Sequence, residues 1–185
     1  MDEGVGYMKT KTVYRIFVDY EKEEKWLNEM AQTGWALESF RLMRYVFKQV
    51  EPGTFTYRIE LLSNLPSHPE SKAYMAFLDE VGVEVVDTSY RWIFLRKRTS
   101  DGPFQLYSDF DSMIQREKRI IQLYGAVGLA NFVVVVANLS NPYAQWTILL
   151  NIAVVAMLAY AVQHHTRKVR ALKGLKAIGE MKSSD

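Results

Sequence analysis

A long stretch without formal charge dominates this sequence. No Lys, Arg, Asp or Glu occurs between Arg119 and Arg167, a gap of 47 residues. Two segments inside this gap, 120–139 and 146–163, are close to the length that an apolar helix needs to cross a bilayer. A short loop containing Pro142 joins them. We therefore predict a two-helix transmembrane hairpin over residues 120–164. The alternative is a buried hairpin of a soluble helical protein, but two adjacent charge-free segments of this length are rare in soluble cores.

Basic residues flank this gap on both sides. Arg116, Lys118 and Arg119 precede it, and five more Lys and Arg residues follow between Arg167 and Lys176, whereas the loop between the two segments has none. Lys and Arg concentrate on the cytoplasmic side of membrane helices. The pattern therefore predicts a multi-pass protein of the cell membrane with both termini in the cytoplasm.

The basic tail, residues 165–185, also carries an apolar stripe. Its members are Val169, Leu172, Leu175 and Ile178, spaced by three as on one face of a helix. Such a stripe beside lysines can lie on an anionic leaflet of membrane lipid. It is equally compatible with a plain extension of the second membrane helix.

The part of the chain before the charge-free gap is acidic, whereas the part that contains it is basic. Residues 1–115 contain 14 basic and 18 acidic side chains, a net charge of −4, whereas residues 116–185 have a net charge of +6. An acidic unit is a poor match for nucleic acid, because phosphate contacts need a basic surface. We expect no nucleic-acid partner.

Few residues could carry catalytic chemistry. The chain has no cysteine, so it has no thiol nucleophile and no cysteine metal site. The adjacent pair His164 and His165 would point apart on a helix and cannot easily share one ion. Glu21, Glu23 and Glu24 are explained by a helix start, where the macrodipole favours anions. We expect no enzyme, no catalytic residue, no metal and no cofactor; an enzyme acting on lipid-phase substrates is the least favoured alternative.

Residues 10–99 read as alternating strands and helices. One helix begins after an N-cap at Asp19 and ends at Gly34, and a second covers 70–81. The predicted strands cover 11–18, 35–40, 44–50, 55–61, 83–88 and 92–98. The turn signal Glu51-Pro52-Gly53-Thr54 predicts a β-hairpin between the third and fourth of these strands.

The two halves of this domain resemble each other at an offset of 48 residues. Trp26 corresponds to Tyr74, Leu37 corresponds to Val85, and Gly34 corresponds to Gly82, so the succession of helix, glycine and strand repeats. A β-α-β-β-α-β series in two similar halves, with an extra strand, predicts an α+β fold of the ferredoxin-like two-layer type. In that fold two helices cover one face of an antiparallel sheet.

Alternation along the strands suggests where a partner binds. One face is aromatic, with Tyr45, Phe47, Tyr57 and Phe94, and we interpret it as the core beneath the helices. The alternative is an open aromatic sheet that stacks bases or another ligand. The opposite face mixes apolar and basic residues and is the predicted partner surface. That surface consists of Arg44, Lys48, Arg58, Arg91, Ile93 and Leu95.

Small and amide residues in the apolar segments suggest contacts between membrane helices. Gly125 and Gly128 would allow close approach, and Asn131 and Asn151 could hydrogen-bond between helices or between protomers. We predict that these four residues are packing contacts and not part of a pore.

Three stretches carry a family resemblance. EKEEKWLNEMAQTGWALESF, RYVFKQVEPGTFTYRIEL and FQLYSD resemble the bacterial domain-of-unknown-function family 2812, over about residues 10–120. The resemblance implies a small protein that commonly ends in a hydrophobic hairpin, and it implies no established activity. Members are often encoded beside PadR-type transcriptional regulators, which hints at a regulatory role. Val83 departs from the pattern, which would have a second Trp after the helix glycine.

The sequence therefore predicts five segments. They are a flexible N-terminus (1–9), a cytoplasmic domain (10–99), a linker (100–119), the membrane hairpin (120–164) and the basic tail (165–185). We expect a membrane-anchored binding or regulatory module that senses or sequesters a protein partner, or associates with itself, at the inner membrane face. The alternative is an accessory subunit of a larger transporter or channel complex.

Overall fold

The computed structural model describes residues 9–107 and 109–182. These residues fall into two compact units, which divide between Leu106 and Tyr107. The predicted flexible segment 1–9 lies, apart from Lys9, outside the described residues. The strands are β1 (Thr10–Tyr14), β2 (Trp35–Arg41), β3 (Arg44–Gln49), β4 (Phe55–Leu61), β5 (Glu84–Ser89) and β6 (Trp92–Arg98), and the helices are α1 (Tyr20–Gln32), α2 (Pro69–Glu80), α3 (Phe110–Asn138) and α4 (Gln145–Lys182).

The N-terminal unit is built from two β-α-β-β halves. Each half forms its own three-stranded antiparallel sheet, in the order β1-β3-β2 for sheet 1 and β4-β6-β5 for sheet 2. The α+β class is therefore as predicted, but the ferredoxin-like arrangement, which has its strands in one sheet, is not confirmed.

The predicted repeat is visible in the backbone. A β-bulge interrupts the pairing between Leu37 and Ser39 in β2, and another interrupts it between Val85 and Asp87 in β5, at the same offset of 48 residues. A glycine with positive φ follows each helix, Gly34 at 84° and Gly82 at 78°. The repeated succession of helix, glycine and strand in the sequence thus corresponds to a repeated supersecondary unit.

Local signals account for the helix starts. The Asp19 carboxylate accepts a hydrogen bond from the Glu21 N–H at 3.0 Å, which confirms the predicted N-cap of α1. His68 caps α2 in the same way, because its Nδ1 accepts from the Glu70 N–H at 3.3 Å. Pro69 occupies the first turn of α2, where a missing N–H costs nothing.

The predicted β-hairpin between β3 and β4 is wrong. β3 pairs with β1 on one side and β2 on the other, so neither of its edges is free for β4. β4 pairs with β6 in sheet 2. The turn at Glu51–Thr54 does reverse the chain, since the Thr54 N–H donates to the Glu51 carbonyl at 3.3 Å, but it connects two sheets.

Where the two halves meet, side chains form hydrogen bonds with backbone groups on the edge strands β2 and β4. At β2, the Leu37 N–H donates to the Tyr57 hydroxyl at 2.8 Å, and Arg96 Nη1 donates to the Leu37 carbonyl at 3.0 Å. At β4, Asn28 of α1 both accepts from the Tyr57 N–H at 2.9 Å and donates to the Tyr57 carbonyl at 3.1 Å. Polar groups on an unpaired edge would otherwise be exposed for pairing with another chain.

The C-terminal unit is a helical hairpin. Its helices α3 and α4 are longer than predicted and extend into the predicted linker and the predicted tail, respectively. Both are long and apolar enough to cross a membrane, by length and composition. The residues buried between them include Ile114, Glu117 and Ile120 on α3 and Leu158, Ala161, His165 and Val169 on α4.

Candidate functional site: the open face of sheet 1

Sheet 1 has one covered face and one open face. The covered face carries Tyr45 and Phe47, which are 1% and 0% exposed and lie against Trp26 of α1 at ring-centroid distances of 4.8 and 5.6 Å. The strand register places the alternate residues on the other side. We call the exposed and half-buried residues of this side the open face: Thr10, Thr12, Tyr14, Ser39, Arg41, Arg44, Val46 and Lys48. The register also places Ala36 on this side, opposite Lys48, but Ala36 is 0% exposed.

The open face is basic. Arg44 lies between Tyr14 of β1 and Arg41 of β2, and all three are exposed. Lys48 is half-buried at the other end of β3. The open face carries three cations, Arg41, Arg44 and Lys48, and the exposed Glu38 lies at the β-bulge beside Ser39. The excess of cations suits an acidic surface better than a cation.

A half-buried acid, Glu23, lies on the covered side of the same sheet. The Tyr45 hydroxyl donates to Glu23 Oε1 at 2.6 Å. Burial raises the pKa of Glu23 to about 7, although the hydrogen bond from Tyr45 acts in the opposite direction. Burial, and next the hydrogen bond to Glu23, also raise the pKa of Tyr45. Glu23 is thus more than the helix-start charge that the sequence suggested, since it links α1 to β3.

Two of the predicted partner-surface residues lie on the open face, and two others make contacts within the fold. Arg44 and Lys48 belong to the open face. Arg58 pairs with Glu24 of α1, with 3.2 Å between Nη1 and Oε1. Arg91 is half-buried, and its Nε donates to the Leu62 carbonyl at 2.8 Å.

Ile93 and Leu95 lie in the core, so the predicted partner surface cannot include them. Both are 0% exposed and pack with Leu62, Leu78 and Phe104. The physical reason is that β6 is central in sheet 2 and is covered on both faces. The repeat could have revealed this, because an offset of 48 maps Tyr45 and Phe47, the covered residues of sheet 1, onto Ile93 and Leu95.

The four predicted helix contacts differ in their surroundings. A Cβ atom at Gly128 would lie 3.7 Å from Leu158 Cβ, so Gly128 faces α4, whereas no such neighbour lies within 4 Å at Gly125. The side-chain amide of Asn131 donates to the Val127 carbonyl at 2.7 Å, and that of Asn151 donates to the Thr147 carbonyl at 2.8 Å. Both amides therefore bond within their own helix in the described hairpin.

The hairpin contains a buried pair that is not among the features predicted from the sequence. His165 Nδ1 lies 2.6 Å from Glu117 Oε2, and both side chains are 2% exposed. Arg116 Nη2 lies 3.4 Å from the other Glu117 oxygen. The sequence contains a signal for this pair. Glu117 is the acidic residue nearest to the charge-free gap, just before its start, and His164 and His165 lie near the C-terminal end of the gap. Pairing between residues so distant in sequence required the hairpin geometry.

One known family matches the greater part of this chain. Residues 19–129 match the family model described as "Protein of unknown function (DUF2812)". The chain belongs to the DUF2812 family. The matched region runs from the N-cap of α1 through the rest of the first half and the whole second half into α3, whereas β1 lies outside it. No curated protein and no solved structure matches this chain.

Proposed function

We propose that this DUF2812 protein is a membrane-anchored binding module without catalytic chemistry. In this proposal α3 and α4 insert into the cell membrane, both termini are cytoplasmic, and the N-terminal unit binds an acidic protein partner at the inner membrane face. Sequestering such a partner would make the protein regulatory. The apolar length of the two helices and the basic residues at both ends of the charge-free gap support the membrane part.

The open face of sheet 1 carries the binding part of the proposal. Sheet 2 has buried side chains on both sides, with Ile93 and Leu95 on one and Tyr57 and Phe94 on the other. Among the described residues, sheet 1 has a helix, α1, on one side only. An uncovered sheet face with three cations offers complementary charge to an acidic protein surface.

A photo-crosslinking experiment in native membranes tests this proposal. A photoreactive amino acid replaces Thr12, which is exposed on the open face, in the full-length protein. The matched control replaces Lys72, an exposed residue of α2. We expect a discrete cross-linked product from position 12 and none from position 72, and we expect the double substitution Arg44→Glu with Lys48→Glu to abolish it.

Each other outcome would count against the proposal in a defined way. The same product from both positions, or a product that survives the charge reversal, would show that the open face is not the binding surface. A product formed by two copies of the chain would replace the acidic partner with self-association. A product obtained only from probes in α3 or α4 would favour the accessory-subunit alternative.

A further inference from the structure

The β2–β3 hairpin ends in an unusual turn. Arg41 pairs with Arg44, so Leu42 and Met43 alone form the loop, and both have positive φ, 44° and 68°. Two-residue turns of this conformation favour Asn, Asp or Gly, because an L side chain is strained there. Leu42 is also 88% exposed. Strained backbone and exposed apolar surface thus coincide at one position, which is typical of a functional site.

Two more exposed apolar residues lie beside this turn. The Arg15 N–H donates to the Met43 carbonyl at 2.9 Å, which holds the end of β1 against the loop. Tyr14 and Ile16 on either side of Arg15 are 73% and 72% exposed. We call Tyr14, Ile16, Leu42 and Met43 the hairpin tip.

The hairpin tip is surrounded by arginines. Arg15, Arg41 and Arg44 are all exposed, and residues 14–18 and 41–44 contain no carboxylate. The Arg15 guanidinium lies over the rings of Phe17 and Trp26 at 4.8 and 5.2 Å, so it is positioned at the base of the tip. One carboxylate lies nearby, since Asp87 accepts a hydrogen bond from the Phe40 N–H at 2.7 Å. An exposed apolar cluster with three neighbouring arginines matches the interface of an anionic bilayer, which accepts apolar side chains and attracts basic ones.

The second half of the unit shows that the repeat itself does not require this tip. The equivalent hairpin turns at Tyr90 and Arg91. Tyr90, like Leu42, has positive φ and is exposed, at 63%, but Arg91 does not have positive φ. The residue equivalent to Tyr14 is Leu62, which is 3% exposed, and Arg91 is bonded to the Leu62 carbonyl. The exposed apolar cluster is therefore specific to the first half.

We propose that the hairpin tip docks into the headgroup region of an anionic membrane leaflet, with Arg15, Arg41 and Arg44 contacting lipid phosphates. This rests on the membrane anchoring proposed above, because the anchor keeps the N-terminal unit close to a bilayer. A lipid surface is favoured over a protein groove because the tip protrudes and needs no complementary pocket. Because Tyr14, Arg41 and Arg44 also belong to the open face, docking would occupy that end of the face and leave the end with Thr12 and Lys48 for the protein partner.

The test uses the natural absence of cysteine in this chain. Full-length Leu42→Cys and Tyr90→Cys proteins, matched by the repeat, are labelled with an environment-sensitive fluorophore and reconstituted into vesicles. The vesicles contain phosphatidylcholine alone or phosphatidylcholine with phosphatidylglycerol. In the anionic vesicles we expect a blue shift, and several-fold stronger quenching by lipid-borne quenchers, at position 42 than at position 90. High salt, or Arg41→Gln with Arg44→Gln, should weaken the response.

The outcomes separate this proposal from the anchoring on which it rests. Flotation of the protein with vesicles after an alkaline wash reports anchoring alone, and failure to float would overturn both proposals. A protein that floats but keeps a water-exposed label at position 42 would overturn docking and leave anchoring intact. Equal responses at positions 42 and 90 would also overturn it. Shielding of position 42 that is independent of anionic lipid and increases with protein density would assign the tip to a second copy.

Discussion

Glu23 illustrates how one side chain can make stability depend on pH. Glu23 is half-buried on α1, and its carboxyl group lies 2.6 Å from the hydroxyl of Tyr45 on β3. Burial raises its pKa from 4.5 to about 7. The folded state therefore holds this proton more tightly than the unfolded state does. The stability contribution is fully present below pH 4.5, and it is lost as the pH rises through about 7.

We predict that Glu23→Gln removes this pH dependence. The free energy of unfolding of the wild-type N-terminal unit should fall relative to that of the variant as the pH rises from 4.5 to above 7. The full difference is about 3 kcal/mol or less, at 1.36 kcal/mol per pKa unit. Denaturant unfolding of the full chain in detergent, followed by tryptophan fluorescence at several pH values, measures this difference.

Glu21→Gln is the control, because Glu21 is an exposed residue in the same helical turn. It should change the pH profile much less than Glu23→Gln. If the free energies of unfolding of the wild-type protein and Glu23→Gln varied with pH in the same way, the pKa of Glu23 would not be raised in the folded state.

At the scale of elements, the repeat supplies matched pairs of positions. Gly34 and Gly82 follow α1 and α2 with nearly the same positive φ. Their surroundings differ, because a Cβ atom at Gly34 would lie 2.9 Å from the Val50 carbonyl oxygen, whereas at Gly82 nothing lies within 4 Å. Positive φ therefore favours glycine at both positions, and at Gly34 the lack of space for a Cβ atom favours it as well.

We predict that Gly34→Ala destabilises the N-terminal unit more than Gly82→Ala does. Each substitution places an L residue in the left-handed region, at a cost of about 1–2 kcal/mol. The close approach to the Val50 carbonyl oxygen at Gly34 should add about 1–3 kcal/mol, as for other overpacked sites. Denaturant unfolding of the two variants under the same conditions measures the difference. Equal losses would mean that the chain around Val50 moves aside without cost.

The sequence predicted the ends of α1 and α2 closely, because short-range signals determine them. It did not predict strand pairing correctly, because residues far apart in the chain determine it. The N-cap at Asp19 and the glycines that follow α1 and α2 are local features, because the residues that interact lie within a few positions. The β3–β4 pairing was wrong although its turn signal was real. Whether two strands joined by a tight turn pair with each other depends on which other strands occupy their edges.

At the scale of the whole molecule, the membrane topology is open to direct measurement. We predict that a cysteine introduced by Tyr143→Cys, in the loop between α3 and α4, reacts with a membrane-impermeant thiol reagent in right-side-out membrane vesicles. Tyr143 is 95% exposed, so steric access is not limiting. Lys72→Cys in α2 should react only after the membrane is permeabilised, because both flanks of the hairpin are basic.

The reverse labelling pattern would mean that the basic flanks face outward. Reaction of both residues in sealed vesicles would contradict insertion of the hairpin. The parent chain has no cysteine and serves as the background control.

The sequence by itself determined the features that depend on composition and local order. The charge-free gap indicates two long apolar helices, and the offset of 48 indicates a duplicated unit, because each is a pattern along the chain. The basic character of Arg44 and Lys48 was likewise evident from the residues.

Tertiary structure alone decided which sheet faces are covered. Alternation divides a strand into two sides, but it cannot say whether a helix from elsewhere in the chain lies on one side or on both. Ile93 and Leu95 are buried because α2 and Phe104 cover them, and Glu117 meets His165 because the hairpin closes. The exposure of Leu42 likewise depends on what the fold leaves uncovered, since burial is a property of the assembled elements and not of any single segment.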